Sequence, residues 1–433
     1  MRKYFLGLLL CATSTCFAQQ NPIAIKGGLI YTAAGNPVAN GVLIVQNGKI
    51  VKVGDASTSI PSNAQVIDAS GKVIMPGIVD THSHLGGPEG GDNSSALNPD
   101  ARVLDAVNPT SDGFKKALAG GLTTLNVMPG SGHLMSGQTI YIKMREGNTI
   151  EDLLLVNDRG VYGGMKMANG TNPMRGTAGF PGTRSKEAAM DRDLFLKAVD
   201  YKKKIEKAGK DSSKLPERDL RMEAMLEVLD GRRIVHFHTH KAIDILTCLR
   251  LKKEFGFRLV LHHVTEGYKV AKEIADANVP CSIINIDSPG GKAEAIDFWF
   301  GNGATLVKQG ILVAVHTDDP ITDSRFLIRS AALSVREGMS KEDALKALTI
   351  NGAKMLDLDK RLGSLETGKD ADFIILSGDP FSVYTRVLQT WVEGVKRFDL
   401  SNPADKAFAV GGYKVYTPGA FAEDDDGDKD DNN

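Results

Sequence analysis

The chain is poor in several things at once. It holds 4 cysteines and 2 tryptophans in 433 residues, aromatics make up 6%, and 52 Lys+Arg against 53 Asp+Glu leave a net charge of −1. A near-neutral chain with no basic stripe excludes the electrostatic footprint of a nucleic-acid binder. Cysteine this scarce excludes a disulfide framework. Cys11 and Cys16 fall in the N-terminal segment, while Cys248 and Cys281 lie far apart, each in an apolar stretch, and read as core residues. No later apolar run approaches the roughly 20 residues of a membrane-spanning helix. What remains, 42% hydrophobic and 24% charged with 46 glycines, is an ordinary globular composition. At roughly 100–200 residues per domain, the length suits about two domains, or one large barrel with an attachment.

The two ends read differently from the middle. MRKYFLGLLLCATSTCFAQQ has a basic start (Arg2, Lys3), a short apolar run and a small-residue exit at Ala18. This predicts a signal peptide over residues 1–18, hence a secreted or periplasmic protein. At the other end 7 of the last 13 residues are acidic, and residues 419–433 are expected to be a disordered tail. Residues 19–75 alternate β-rich runs with turn signals, Asn47-Gly48 being the strongest hairpin cue, and the same texture returns over 361–418. Between them, residues 76–360 alternate short apolar runs with helix-like stretches, the pattern of βα units and a parallel sheet. Eight candidate strands suit a TIM (β/α)8 barrel, with QTIYIKM and VYGGMKMA as its third and fourth strands and a helical excursion over 185–230. The fold class predicted is α/β: a barrel of metal-dependent hydrolase type with a small composite β-sandwich domain built from both chain ends.

All 9 histidines lie between residues 82 and 316, and most stand at C-terminal strand ends, where barrel chemistry converges. Residues two apart on a strand face one side. His82 and His84 in DTHSH, and His236, His238 and His240 in HFHTH, can therefore point together into a barrel mouth. Of the adjacent His262 and His263 closing RLVLHH, only one ring is expected to face inward, and parity does not say which. His316-Thr317-Asp318-Asp319-Pro320 closes a fourth run. Each group alone has a bland explanation, a core histidine or a helix-capping acid; four in this order do not.

PGIVDTHSH (76–84), HFHTH (236–240), LHHVTEGY (261–268) and HTDDP (316–320), with GKIVKVG, VIDASGKVIMPG and GSLETGKDADFIILSGDP on the flanks, resemble the amidohydrolase superfamily, specifically its imidazolonepropionase-like and prolidase-like members. The resemblance spans roughly residues 23 to 400. It implies His82 and His84 as ligands of the more buried metal, His238 and His263 as ligands of a second, and Asp318 as both ligand and catalytic proton acceptor. Lys166 in GGMKMANG resembles the lysine that some members carbamylate to bridge two metals; the next match, Lys143 in IYIKM, is one strand earlier. The implied cofactor is a divalent metal, one or two ions, with zinc first.

The activity so implied is hydrolysis of a C–N bond, an amide or cyclic amide, by metal-activated hydroxide with Asp318 as base and then acid. The expected partner is a small-molecule amide or dipeptide-like substrate. A prolidase-like dipeptidase, a metal-dependent deaminase and a non-catalytic metal-loaded binding protein are the alternatives. For substrate contact the candidates are His240, His133 in the glycine-rich MPGSGHLMSGQ, and Arg175 in NGTNPMRG as a carboxylate clamp, with Glu266 and Tyr268 lining the pocket. His236 reads as a deeper partner of the ligands. His262 and His316 are departures from the family pattern that add basic groups. Monomer and homo-oligomer are both compatible with the sequence.

Overall fold

The computed structural model describes residues 21–285 and 293–411. The expected signal peptide, Cys11, Cys16 and the acidic tail lie outside the described residues. Strands follow the β-rich runs: β1 Ile23–Ile30, β2 Val38–Gln46, β3 Lys49–Gly54, β4 Gln65–Asp68, β5 Val73–Pro76, β6 Ile78–Ser83, β7 Leu122–Val127, β8 Met135–Gln138, β9 Ile140–Lys143 and β10 Met165–Ala168. They continue with β11 Val235–Thr239, β12 Leu259–His263, β13 Cys281–Ile283, β14 Val313–Val315, β15 Phe373–Leu376, β16 Val387–Val392 and β17 Val395–Asp399. No described helix is long and apolar enough to cross a membrane.

One sheet of eight strands runs β17-β16-β15-β5-β1-β2-β3, with β4 also paired to β1. It joins both ends of the chain through the antiparallel β5–β15 pair, Val73 opposite Leu376 and Pro76 opposite Phe373. Asn47 and Gly48, both at positive φ, turn the β2–β3 hairpin as the sequence predicts. Strand period two then feeds two cores from β15. Ile374 and Leu376 join the large central core, whereas Phe373 and Ile375 join a smaller one with Leu43, Ile74 and Trp391.

The central strands make two further sheets. In the first, β10 to β14 are consecutive and parallel, with β8 antiparallel on the β10 edge; in the second, β6 pairs parallel with β7 and β7 antiparallel with β9. QTIYIKM is thus not one barrel strand. Gly137 at φ 127° sits where a Cβ would come within 2.6 Å of the Ala101 carbonyl, and Thr139 leaves the ladder to accept a hydrogen bond from Gly164 N at 2.8 Å. The chain therefore breaks at Thr139 and passes from one sheet to the other. At the opposite side a bridge of Ser83 to Asp319 links the sheets, with Asp318 N donating to His82 O (2.9 Å) and His84 N to Asp319 O (3.2 Å).

Alternation on the parallel strands decides where the histidines go. Val235, Phe237, Leu259, Leu261, Cys281, Ile283, Val313 and Val315 point into the helix-covered core. The intervening positions point the other way: Ile234, Val260 and Ala314 form an apolar floor with Met355, and His236, His238 and His262 rise above it on the same face. Covering helices include Arg184–Ala208 and Leu220–Leu229 within the predicted excursion. Phe195 of the longer helix packs parallel to Phe255 and Phe257, at 4.8 and 5.0 Å between centroids.

Lys143 does not belong to the histidine face. It is fully buried at the end of β9, its Nζ 2.6 Å from both Asp370 Oδ2 and Asp372 Oδ2 just before β15. Removing one partner of a buried ion pair strands the other charges. Lys143→Met is therefore expected to destabilise the fold by about 3–5 kcal/mol in chemical denaturation, whereas Lys203→Met, on a solvent-exposed lysine, should stay within about 0.5 kcal/mol.

The long helix carries a second buried charge effect. Glu187 and Asp191, one turn apart on Arg184–Ala208, are both buried. Burial pushes Glu187 up to about 8, with the nearby Asp244 acting in the same direction and the Gly170 N–H against it. A carboxyl whose folded pKa is raised holds its proton in the native state after the unfolded chain has lost it, so stability falls as pH rises from the ordinary value toward about 8. Glu187→Gln should melt like the wild type at pH 4 and at a higher temperature than it at pH 9.

Candidate metal centre

Eight of the nine histidines share one cluster. His82, at the end of β6, has its ring centroid 5.1 Å from His84, 5.0 Å from His262, 4.9 Å from His263 and 4.8 Å from His316. His263 in turn lies 4.3 Å from His238 and 4.8 Å from His240. Both His262 and His263 are in this cluster, contrary to the expectation that only one would face inward. β12 ends at His263 with φ 67°, followed by Val264 at φ 54°, and the left-handed turn breaks the alternation that would have sent the second ring outward. Asp318 also sits at positive φ, 52°. Such backbone is costly for non-glycine residues and persists where packing imposes it, characteristically at functional sites.

Hydrogen bonds aim the rings. His84 Nδ1 is held by Met128 O at 2.8 Å, His240 Nδ1 by Thr265 Oγ1 at 2.7 Å and His316 Nδ1 by Ser282 Oγ at 2.7 Å. Their Nε2 atoms are left toward the centre, as orienting partners do at metal sites. His84 Nε2 meets Asp318 Oδ1 at 2.9 Å, and His82 Nε2 is 3.2 Å from the same oxygen. Lys166 Nζ approaches His82 Nε2 to 3.0 Å. His263 Nδ1 stands 3.9 Å from Asp318 Oδ2 and 3.4 Å from His316 Nε2. His236 is a deeper member with both nitrogens engaged, Nδ1 by His262 Nε2 at 2.9 Å and Nε2 by Tyr141 OH at 3.2 Å. The structure thus brings together His82, His84, Lys166, His238, His263 and Asp318.

Electrostatics suit these groups to a cation. Burial, reinforced by Lys166 and the neighbouring imidazoles, pushes His82, His262 and His263 far below the usual imidazole value. His316 is pushed down to about 3, burial again leading. These rings are neutral at pH 7 and present lone pairs. Burial acts to raise Asp318, but the His84 hydrogen bond and the charges of His84, His316 and Lys166 outweigh it and hold the carboxylate well below its usual range. Neutral imidazoles with one ionised carboxylate are the donors divalent transition metals take. Three sets have donors close enough for one ion: His82 with His84 and Asp318, His238 with His240 and His263, and His82 with His263 and His316. Buried His263 Nε2 lacks a hydrogen-bond partner, as expected of a nitrogen reserved for a ligand.

Other groups found here had weaker signals in sequence. Asp80, two residues before His82, accepts from Thr317 N at 3.2 Å and His82 N at 3.1 Å, so it ties β6 to the segment after β14. Burial pushes its carboxyl up to about 7. Glu294, on the short turn Ala293–Ala295, lies 3.8 Å from His238 Nε2 and 4.0 Å from His240 Nε2; nothing in its local sequence marks it. Burial tends to raise its carboxyl, but the adjoining His238 and His240 imidazoles lower it below the usual range. His133 and Arg175 stand in a loop layer where both pack on Phe180, at 5.4 and 4.7 Å. The Arg175 guanidinium also bonds Asn93 Oδ1 (2.5 Å) and Gly132 O (3.1 Å). Glu266 serves the helix Ala242–Phe255 instead of the pocket, accepting from Ala242 N at 2.8 Å and Lys241 Nζ at 3.0 Å. Tyr268 directs its hydroxyl to Asp297 O at 3.3 Å.

The amidohydrolase family model matches residues 284–397. An amidohydrolase of solved structure from Thermotoga maritima is 36% identical, superposes with a TM-score of 0.82, and is covered over 100% of its length by 87% of this chain. The imidazolonepropionase of Picrophilus torridus is 26% identical over 83% of this chain and 93% of its own. The amidohydrolase tasK of Hapsidospora irregularis is 28% identical over 89% of this chain; the match spans only 44% of that protein. The chain belongs to the amidohydrolase family.

Proposed function

We propose that the protein is a metal-dependent hydrolase that cleaves an amide bond in a cyclic amide, an N-acyl amino acid or a dipeptide-like compound. The observation that carries this is the convergence of His82 Nε2 and His84 Nε2 on Asp318 Oδ1, at 3.2 and 2.9 Å, with Lys166 Nζ 3.0 Å from His82 Nε2. A hydrolase acting on C–N bonds follows from the family; the metal chemistry and the substrate class are the proposal. His82, His84 and Asp318 would hold one divalent ion, and His238 and His263 a second, with Lys166 as a carbamate between them. When bound, the metal supplies Lewis acidity and lowers the pKa of water to about 7.

The remaining steps fall to the protein's side chains. Asp318 is ionised and offers Oδ2 on the side facing His263, so it can take a proton from the attacking water. It then returns that proton to the departing nitrogen, the base and acid roles of one carboxyl. Arg175 and His133 form the outer wall that receives a substrate carboxylate. The two inner sheets, linked by the Ser83–Asp319 bridge, are read as a distorted (β/α)8 barrel whose mouth is this site, and the eight-stranded sheet as the composite domain attached to it. The leader-like residues 1–18 support action outside the cytoplasm, on peptides or amides scavenged there.

Asp318→Asn removes the proton acceptor while keeping the shape. In assays over dipeptides, N-acyl amino acids and cyclic amides, kcat should fall by about 10²–10⁴-fold. Chelation should abolish turnover and added Zn²⁺ or Mn²⁺ restore it. Turnover that survives both Asp318→Asn and chelation would contradict the reading.

A further inference from the structure

Glu294 is a carboxylate at the cluster that lies outside the motifs carrying the family resemblance. Its side chain is buried and seated from two directions. Oε2 accepts a hydrogen bond from Thr171 N at 2.9 Å. Gly170 beside it, at φ 84°, is a position where any Cβ would come within 2.6 Å of that oxygen. A glycine in left-handed backbone is what lets the carboxylate in. With Oε2 fixed, Oε1 turns to the imidazoles, 3.8 Å from His238 Nε2 and 4.0 Å from His240 Nε2. Two donors each about 2.0–2.2 Å from one zinc ion are at most about 4.4 Å apart, so both separations allow a shared ion. His238, His240 and His263 already have donor atoms close enough to hold one ion, and His263 Nε2 is a buried nitrogen with no hydrogen-bond partner.

We propose that Glu294 is a further protein ligand of the second metal ion, beside His238 and His240. The assignment rests on the metal-dependent reading above and adds a ligand from the segment after β13 that the sequence resemblance did not supply. It further couples the turn Ala293–Ala295 to metal loading.

The test uses the full chain, stripped of metal and titrated with Co²⁺ while its visible absorption is followed, as wild type and as Glu294→Gln. The expected result is two cobalt sites in the wild type, with the second weakened at least 10–100-fold in Glu294→Gln and its absorption bands shifted by loss of an oxygen ligand. Crystals of the cobalt-loaded wild type, with anomalous data at the cobalt edge, give an answer even if the variant does not fold: an ion is expected in contact with the Glu294 carboxylate. Identical loading and spectra in the two proteins, or no ion against Glu294, overturns the assignment while leaving the metal reading intact. A wild type that binds no cobalt overturns both.

Discussion

Everything at this site depends on burying imidazoles on the inner face of parallel strands. An imidazole deprived of water gives up its proton before it gives up its place, and a neutral ring offers a lone pair that no protein donor is obliged to fill. Period-two alternation does the rest: Val235, Phe237, Leu259 and Leu261 anchor β11 and β12 in the hydrophobic core, and the same registration lifts His236, His238 and His262 to the opposite face. The stability of the outer core thus sets the position of the inner ligands. A one-residue slip in β11 would exchange the two sets.

Strand ends add what alternation cannot. Positive φ at His263 and Asp318 turns two side chains into the cluster from positions where regular strand would place them elsewhere. Asp80 holds β6 to Thr317 by backbone and side-chain hydrogen bonds, and so fixes His82 relative to Asp318. Outside the cluster, Asp319 binds Lys116 Nζ at 3.0 Å and Ser324 N at 2.7 Å. The two aspartates of HTDDP therefore divide the work, one facing the histidine cluster and one holding the segment that presents it.

The sequence made the clustered residues legible because they come as short motifs at strand ends, where spacing and strand period speak directly: HxH at the ends of β6 and β11, and HTDDP after β14. Lys166 and Lys143 looked alike in sequence, each in a short apolar run. Burial against Asp370 and Asp372 separates them, a contact over more than two hundred residues of chain that no local pattern encodes. The same holds for Glu294, whose role comes from a turn folded back onto β11, and for the split of QTIYIKM at Thr139, where a close approach to Gly164 overrides a continuous β-like run. Parity misled for His262 and His263 because it assumes regular backbone to the last residue. Loop residues such as Glu266 and Tyr268 were the least legible, since a helix cap and a pocket wall draw on the same residue types.

The central claim is that this neutral, pre-aimed cluster is built around metal. Metal content per chain of the purified protein, by inductively coupled plasma mass spectrometry for wild type and Lys166→Ala side by side, tests it most directly. The account predicts two divalent ions per chain in the wild type and loss of one or both in the variant; wild-type protein with no bound divalent ion would contradict it.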